Sequence, residues 1–202
     1  MSLCGSTRKR HVFRKQYNWT PFIHVYTINR PSQFLHRRKT FKEKNEVVLR
    51  CQNIYGCYAQ RVSQIIHFVS KKALDIDGFG EKQVKQLFNL KYINKVEDIF
   101  NLEKFRSEII ELDGWGELSF SNLIESINKS KKISFDKFIY SLGIRFIGEV
   151  NAEILANEFK DLDLLISSSS NVSALENIDG LGPKAISSVL DFFSKDVNKE
   201  TI

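Results

Sequence analysis

The sequence predicts a mainly α-helical fold: short helices joined by four copies of one hairpin turn, behind a small irregular module over residues 1–60. Three observations predict it. Apolar residues recur with the spacing of a helix face. A glycine-flanked turn returns at near-constant intervals. Composition changes near Val47, from a basic and aromatic stretch to a regular one.

The stripes define the helices. Val62, Ile65, Ile66 and Val69 fall at i, i+3, i+4 and i+7. So do Phe120, Leu123, Ile124 and Ile127; Phe135, Phe138, Ile139 and Leu142; and Ile186, Val189, Leu190 and Phe193. Each set lines one face of a helix and reads as core. Val84, Leu87 and Phe88 make a shorter stripe. Asn94 with Glu97 has the form of a cap pair opening a brief helix. Ser167–Ser170 reads as a loop between units. His67, between Ile66 and Phe68, reads as a packed or capping histidine rather than a ligand.

Between the stripes stand Asp77-Gly78-Phe79-Gly80, Asp113-Gly114-Trp115-Gly116 and Asp179-Gly180-Leu181-Gly182, with a looser copy in Gly143-Ile144-Arg145-Phe146-Ile147-Gly148. The second glycines fall at 80, 116, 148 and 182, at intervals of 36, 32 and 34. A period near 34 also suits tetratricopeptide repeats, but these glycines lie between helices, directly before a helix start.

Glycine adopts positive φ readily and lets a backbone approach a ligand closely. The first N–H groups of a helix have no internal partner and carry the positive end of its dipole, so such a turn takes a phosphate. The middle residues Phe79, Trp115, Ile147 and Leu181 are expected to pack inward. Pro183 suits a first helical turn. Lys82 and Lys184, two places after their glycines, add a charged contact. The candidate DNA-binding residues are therefore Gly78, Gly80, Lys82, Gly114, Gly116, Gly143, Gly148, Gly180, Gly182 and Lys184. One such turn alone is usually only a tight turn; four at regular spacing favour phosphate. Binding of this kind reads phosphate and shape rather than base edges.

The charge is lopsided. Residues 7–44 carry eleven Lys/Arg against one acid, a net +10, which leaves −4 of the total +6 for the rest. The basic segment reads as a solvated loop, although its aromatic mixture also suits DNA backbone. Within it, Phe22–Tyr26 has the form of a short strand. No apolar run approaches ~18 residues, and no apolar signal region opens the chain, so no membrane partner is expected. Three cysteines, an odd number, point to a reducing, cytoplasmic compartment rather than a disulfide scaffold.

Cys51 and Cys57 are separated by five residues, and Cys4 lies in a knuckle-like Leu3-Cys4-Gly5-Ser6. Structural zinc takes four ligands. Cys4, Cys51 and Cys57 supply three, and His11, His24 and His36 are candidates for a fourth. Three free thiols of a broken site are the other reading.

Several stretches resemble the zinc-finger and helix-hairpin-helix junction of bacterial NAD-dependent DNA ligases: Val48-Leu49-Arg50-Cys51, Cys57-Tyr58-Ala59-Gln60, Ile65–Ser70, Leu74–Lys82, Leu142–Glu149 and Gly180-Leu181-Gly182-Pro183. The resemblance runs from about residue 46 to 195. It implies a tandem helix-hairpin-helix domain of four units over 61–202, preceded over 1–60 by a degenerate zinc-ribbon-like module with an inserted basic segment at about 7–44. Cys4 would match the second cysteine of the family's first pair, with Met1 in the place of the first, as though the reading frame opened inside the gene.

The resemblance also implies a part that clamps nicked double-stranded DNA in replication and repair. The chain has no Lys-x-Asp-Gly nucleophile, and no family domains for NAD binding or phosphopeptide-type recognition are expected around it. NAD therefore belongs to the intact ligase. This chain is expected not to seal nicks alone, and a separate N-terminal ligase fragment is the expected protein partner. A stand-alone helix-hairpin-helix module of a repair protein, a non-functional gene remnant, and a protein-interaction scaffold are the alternatives.

Overall fold

The computed structural model describes residues 40–41, 50–51 and 56–200, which are mainly helical. Strands β1 (Thr40–Phe41) and β2 (Arg50–Cys51) pair antiparallel, Thr40 opposite Cys51. This places a strand inside the basic segment, where the sequence has too little alternation to announce one. Phe22–Tyr26 and the rest of that segment lie outside the described residues.

The helices follow in order: α1 (Tyr58–Val69), α2 (Glu81–Asn89), a 3₁₀ segment (Val96–Phe105), α3 (Arg106–Ile109), α4 (Glu117–Ser130), α5 (Phe135–Ser141), α6 (Glu149–Phe159), α7 (Leu162–Ser168), α8 (Val172–Glu176), α9 (Pro183–Phe193) and α10 (Asp196–Glu200). Among the described residues no helix is long and apolar enough to cross a membrane. The apolar stripes lie where their spacing puts them, on α1, α2, α4, α5 and α9, with Ile66, Ile124, Phe135, Phe138 and Leu190 at the margins of the core.

Two local expectations differ. The cap before the 3₁₀ segment is made by Asp98, not Glu97: its carboxylate accepts from the N–H groups of Asn94 (2.7 Å) and Lys95 (3.0 Å). The segment starts at Val96, so the third helical place is Asp98. Of Ser167–Ser170, the first two serines end α7, and Ser169 is buried with its hydroxyl donating to Leu165 O at 2.6 Å. A serine that returns its hydroxyl to a carbonyl one turn back is compatible with a helix end.

The core divides in two. The first cluster runs from Val62 to Ile127 and includes Phe79, Leu87, Ile99 and Phe120. The second runs from Ile139 to Phe193, includes Ile147, Leu155 and Val189, and takes in Ala73 from the first half of the chain. Each half holds two of the glycine turns. The joint between them is small: Ala73, the His67 ring 4.8 Å from the Tyr140 ring with a hydrogen bond from His67 Nε2 to Tyr140 O (2.9 Å), and an exposed Lys72–Glu149 ion pair (2.5 Å).

Candidate nucleic-acid interface

The four turns share one hydrogen bond. The N–H groups of Phe79, Trp115, Ile147 and Leu181 donate to the carbonyls three residues back, Ile76, Leu112, Ile144 and Ile178, at 3.3, 3.0, 3.0 and 3.3 Å. In each, the third residue has positive φ: Gly78 at 76°, Gly114 at 78°, Phe146 at 63° and Gly180 at 82°. That is the pattern of a type II turn, whose third place favours glycine. The looser copy is thus a full copy in backbone, with Phe146 where the others have their first glycine.

Gly143 sits elsewhere. It also has positive φ, 64°, but its N–H donates to Tyr140 O at 3.0 Å, and it closes the end of α5. The middle residues pack inward as expected: Phe79, Ile147 and Leu181 are buried, and Trp115 is partly buried with its indole N–H donating to Gln86 Oε1 at 2.9 Å.

The second glycines, Gly80, Gly116, Gly148 and Gly182, are the cap residues of α2, α4, α6 and α9. They bring no side-chain oxygen to the first-turn N–H groups, which leaves donors for an outside acceptor; α9 offers fewer, because Pro183 has no N–H and the Ala185 N–H donates to Gly182 O at 2.9 Å. The fold does not require glycine at these places. Their φ values of −78°, −177°, −89° and −73° are ordinary for any residue. A Cβ at Gly116, Gly148 or Gly182 would meet nothing within 4 Å, and at Gly80 only Gln83 Oε1 at 3.4 Å. Glycine there leaves open space in front of a helix N-terminus.

Around this shared backbone the side chains differ. Two residues after the second glycine stand Lys82, Leu118, Val150 and Lys184 in turn. Leu118 and Val150 are 75% and 69% exposed, apolar side chains beside a turn that sequence reasoning assigned to phosphate. Glu81, Glu117 and Glu149 open α2, α4 and α6, where a carboxylate would oppose an arriving anion. Each is paired, with Lys85, Arg106 and Lys72 respectively. Pro183 opens α9 without such an acid.

The turns brace one another in pairs. In the first half, the Asp77 N–H donates to Ser126 Oγ of α4 (2.8 Å), and Gln86 Nε2 of α2 donates to Asp113 O (3.0 Å). Each turn is therefore tied to the helix that the other turn opens. In the second half, a Cβ on Gly180 would stand 3.1 Å from Ile154 Cδ1 of α6, and Lys184 Nζ lies 5.8 Å from the centre of the Phe146 ring.

Sequence reasoning missed Phe146, Arg145, Gln86, Leu118 and Val150. Counting back two places from Gly148 would have found Phe146. The zinc expectation rests on Cys4, Cys51 and Cys57. Cys4 lies outside the described residues, Cys51 is described only as backbone of β2, and Cys57 is a partly buried free thiol ahead of α1. His67 is no ligand among the described residues: its ring is held by Tyr140 O, and burial keeps its pKa below the ordinary 6.5, with that hydrogen bond opposing the shift.

Residues 137–202 match the model of the helix-hairpin-helix motif, a span that contains the third and fourth turns. Proteins named DNA ligase are similar over most of the chain. The one from Wolbachia pipientis subsp. Culex pipiens is 47% identical over 155 residues, covering 75% of this chain and 24% of that protein. The one from Rickettsia prowazekii is 42% identical over 169 residues, covering 78% and 24%. The one from Pelagibacter ubique is 40% identical over 173 residues, covering 81% and 25%. The chain thus spans about a quarter of the length of the curated relatives it matches.

Proposed function

We propose that this chain, a relative of the bacterial DNA ligases over about three quarters of its own length, binds duplex DNA through backbone phosphates. Its four turns act as tandem helix-hairpin-helix units, each presenting helix N–H groups to a phosphate across a minor groove. The observation that carries this reading is the set of second glycines. Neither their φ nor their surroundings demand glycine, so what the missing Cβ makes room for lies outside the protein.

Nicked duplex is the proposed target, as a ligase substrate. The chain's role is to hold that DNA in replication and repair, and a second chain carrying a Lys-x-Asp-Gly sequence is the proposed partner for sealing. NAD is used by that partner. Zinc on Cys4, Cys51 and Cys57 with a histidine, and a reducing cytoplasmic setting, belong to the same proposal.

The test is anisotropy of the full chain with nicked and intact duplex of one sequence at two salt concentrations, alongside Gly116→Asn and Gly148→Asn. Asparagine caps helices at least as well as glycine, so helix content and unfolding midpoint should hold. Duplex affinity should fall about tenfold, the loss of roughly one charge-assisted contact. Unchanged affinity in both variants would reject the phosphate turns. Equal affinity for nicked and intact duplex would favour a stand-alone repair module over a ligase clamp. No binding by the wild-type chain would favour a gene remnant.

A further inference from the structure

We infer that Arg145, Phe146 and Lys184 form a cation–aromatic–cation stack that contacts the sugar-phosphate backbone of duplex DNA, linking the two turns of the second half. The inference rests on the reading of the turns as DNA contacts and adds to it a side-chain site.

Phe146 occupies the place that glycine holds in the other three turns. Its φ of 63° is one that non-glycine residues enter at a cost. The residue does not join the core in return: it is 41% exposed. The backbone is secured by Asn151 Nδ2, which donates to Phe146 O at 2.8 Å. An exposed aromatic ring on a disfavoured backbone is not explained by packing.

What surrounds the ring is charge. The Arg145 guanidinium carbon lies 4.4 Å from the ring centre, and Lys184 Nζ, from the start of α9, lies 5.8 Å away. Both are within the range of cation–π attraction. The third turn thereby holds the lysine of the fourth. Long cationic side chains normally lose rotamer freedom when they bind phosphate, and a ring that holds them beforehand lowers that cost. With cations over it, the ring is not a wedge for entering a base step. Its exposed part suits the apolar face of a deoxyribose, while the two cations reach the flanking phosphates. Val150, 69% exposed, follows four residues later in the first turn of α6.

The experiment measures affinity of the full chain for a nicked duplex across a salt series. Phe146→Asn removes the ring while keeping a residue that tolerates positive φ, and circular dichroism checks the fold. The expected result is an affinity loss of at least about fivefold, with affinity restored in Phe146→Tyr. Arg145→Gln and Lys184→Gln should each lower the slope of log affinity against log salt by about one. Wild-type affinity in Phe146→Asn, or an unchanged slope in both glutamine variants, would overturn the stack. Gly116→Asn, in the other half, separates the two failures. If it weakens binding while Phe146→Asn does not, the turns stand and the stack falls; if neither weakens binding, both fall.

Discussion

The two halves of this molecule build the same device from different residues. In the first half, both turns have Asp-Gly before an inward-packed aromatic, and hydrogen bonds through Ser126 and Gln86 brace them. In the second, one turn has Arg145-Phe146 at those places, and the bracing is apolar and cationic, through Ile154 and the Phe146 ring. Yet the turn hydrogen bond and the positive φ are common to all four. The lesson is that backbone geometry is what the halves share, and side chains are free to differ around it. Each half also offers one lysine-bearing turn and one aliphatic turn, in opposite order along the chain: Lys82 then Leu118, Val150 then Lys184. A protein that relied on net charge to hold DNA would have little reason to set an aliphatic side chain at this place in half its turns.

The comparison breaks most sharply at the cores. Phe79 and Leu155 are buried at the centre of their own clusters. Truncating either to alanine costs about 2–5 kcal/mol. The joint between halves is too small to share that cost: an exposed ion pair such as Lys72–Glu149 contributes under about 1 kcal/mol. Phe79→Ala should therefore unfold the first half in urea while the helical signal of the second persists, and Leu155→Ala should do the reverse. A single transition shifted equally by both substitutions would show that the halves fold as one unit.

The next effect is smaller and tests the exchange of glycine for phenylalanine. A Cβ on Gly78 meets nothing within 4 Å, so Gly78→Ala is opposed only by its φ of 76°. The cost is about 1–2 kcal/mol, read as a lower urea midpoint. Phe146→Gly removes the same conformational cost but adds freedom to the unfolded chain, worth about 0.4–1 kcal/mol. Its midpoint should stay within about 1 kcal/mol of wild type. A large loss in Phe146→Gly would mean that the ring is structural after all.

These contrasts explain what the sequence made legible. Helical stripes were readable because burial imposes a period, as on α1 and α4. Three turns were readable because positive φ there selects glycine. The remaining one, third in the chain, was blurred because Phe146 satisfies the same backbone without the residue that usually advertises it, and Gly143, a helix terminator, stood close enough to be taken for it. The 3₁₀ segment was hidden differently. Val96, Ile99 and Leu102 are buried at every third residue, a period of three that a search for 3.6 passes over. The exposed Leu118 and Val150 gave no signal at all, since solitary surface aliphatics are common. Cys4 and most of the basic segment lie outside the described residues, so within 1–60 the described part is the β1–β2 pair, Gly56, Cys57 and the first three residues of α1.

The smallest effect probes the joint itself. Tyr140 O can only accept, so His67 Nε2 carries the hydrogen across their 2.9 Å contact, and the neutral ring suffices to make it. Burial opposes protonation and holds the folded-state pKa below 6.5, although the bond to Tyr140 O pulls the other way. An unfolded chain therefore takes up the proton at a higher pH than the folded one. The sign follows from linkage: His67 contributes its full stability above about 6.5, and that contribution declines as pH falls from there through the folded-state value. The dependence should appear only in the unfolding of the joined halves, where α1 meets α5. His67→Gln keeps a side-chain N–H donor and cannot titrate. Its stability curve should run parallel to wild type above pH 6.5 and fall less steeply below it; curves that stay parallel throughout would place the acid sensitivity of the fold elsewhere, in the carboxylates that cap and pair its helices.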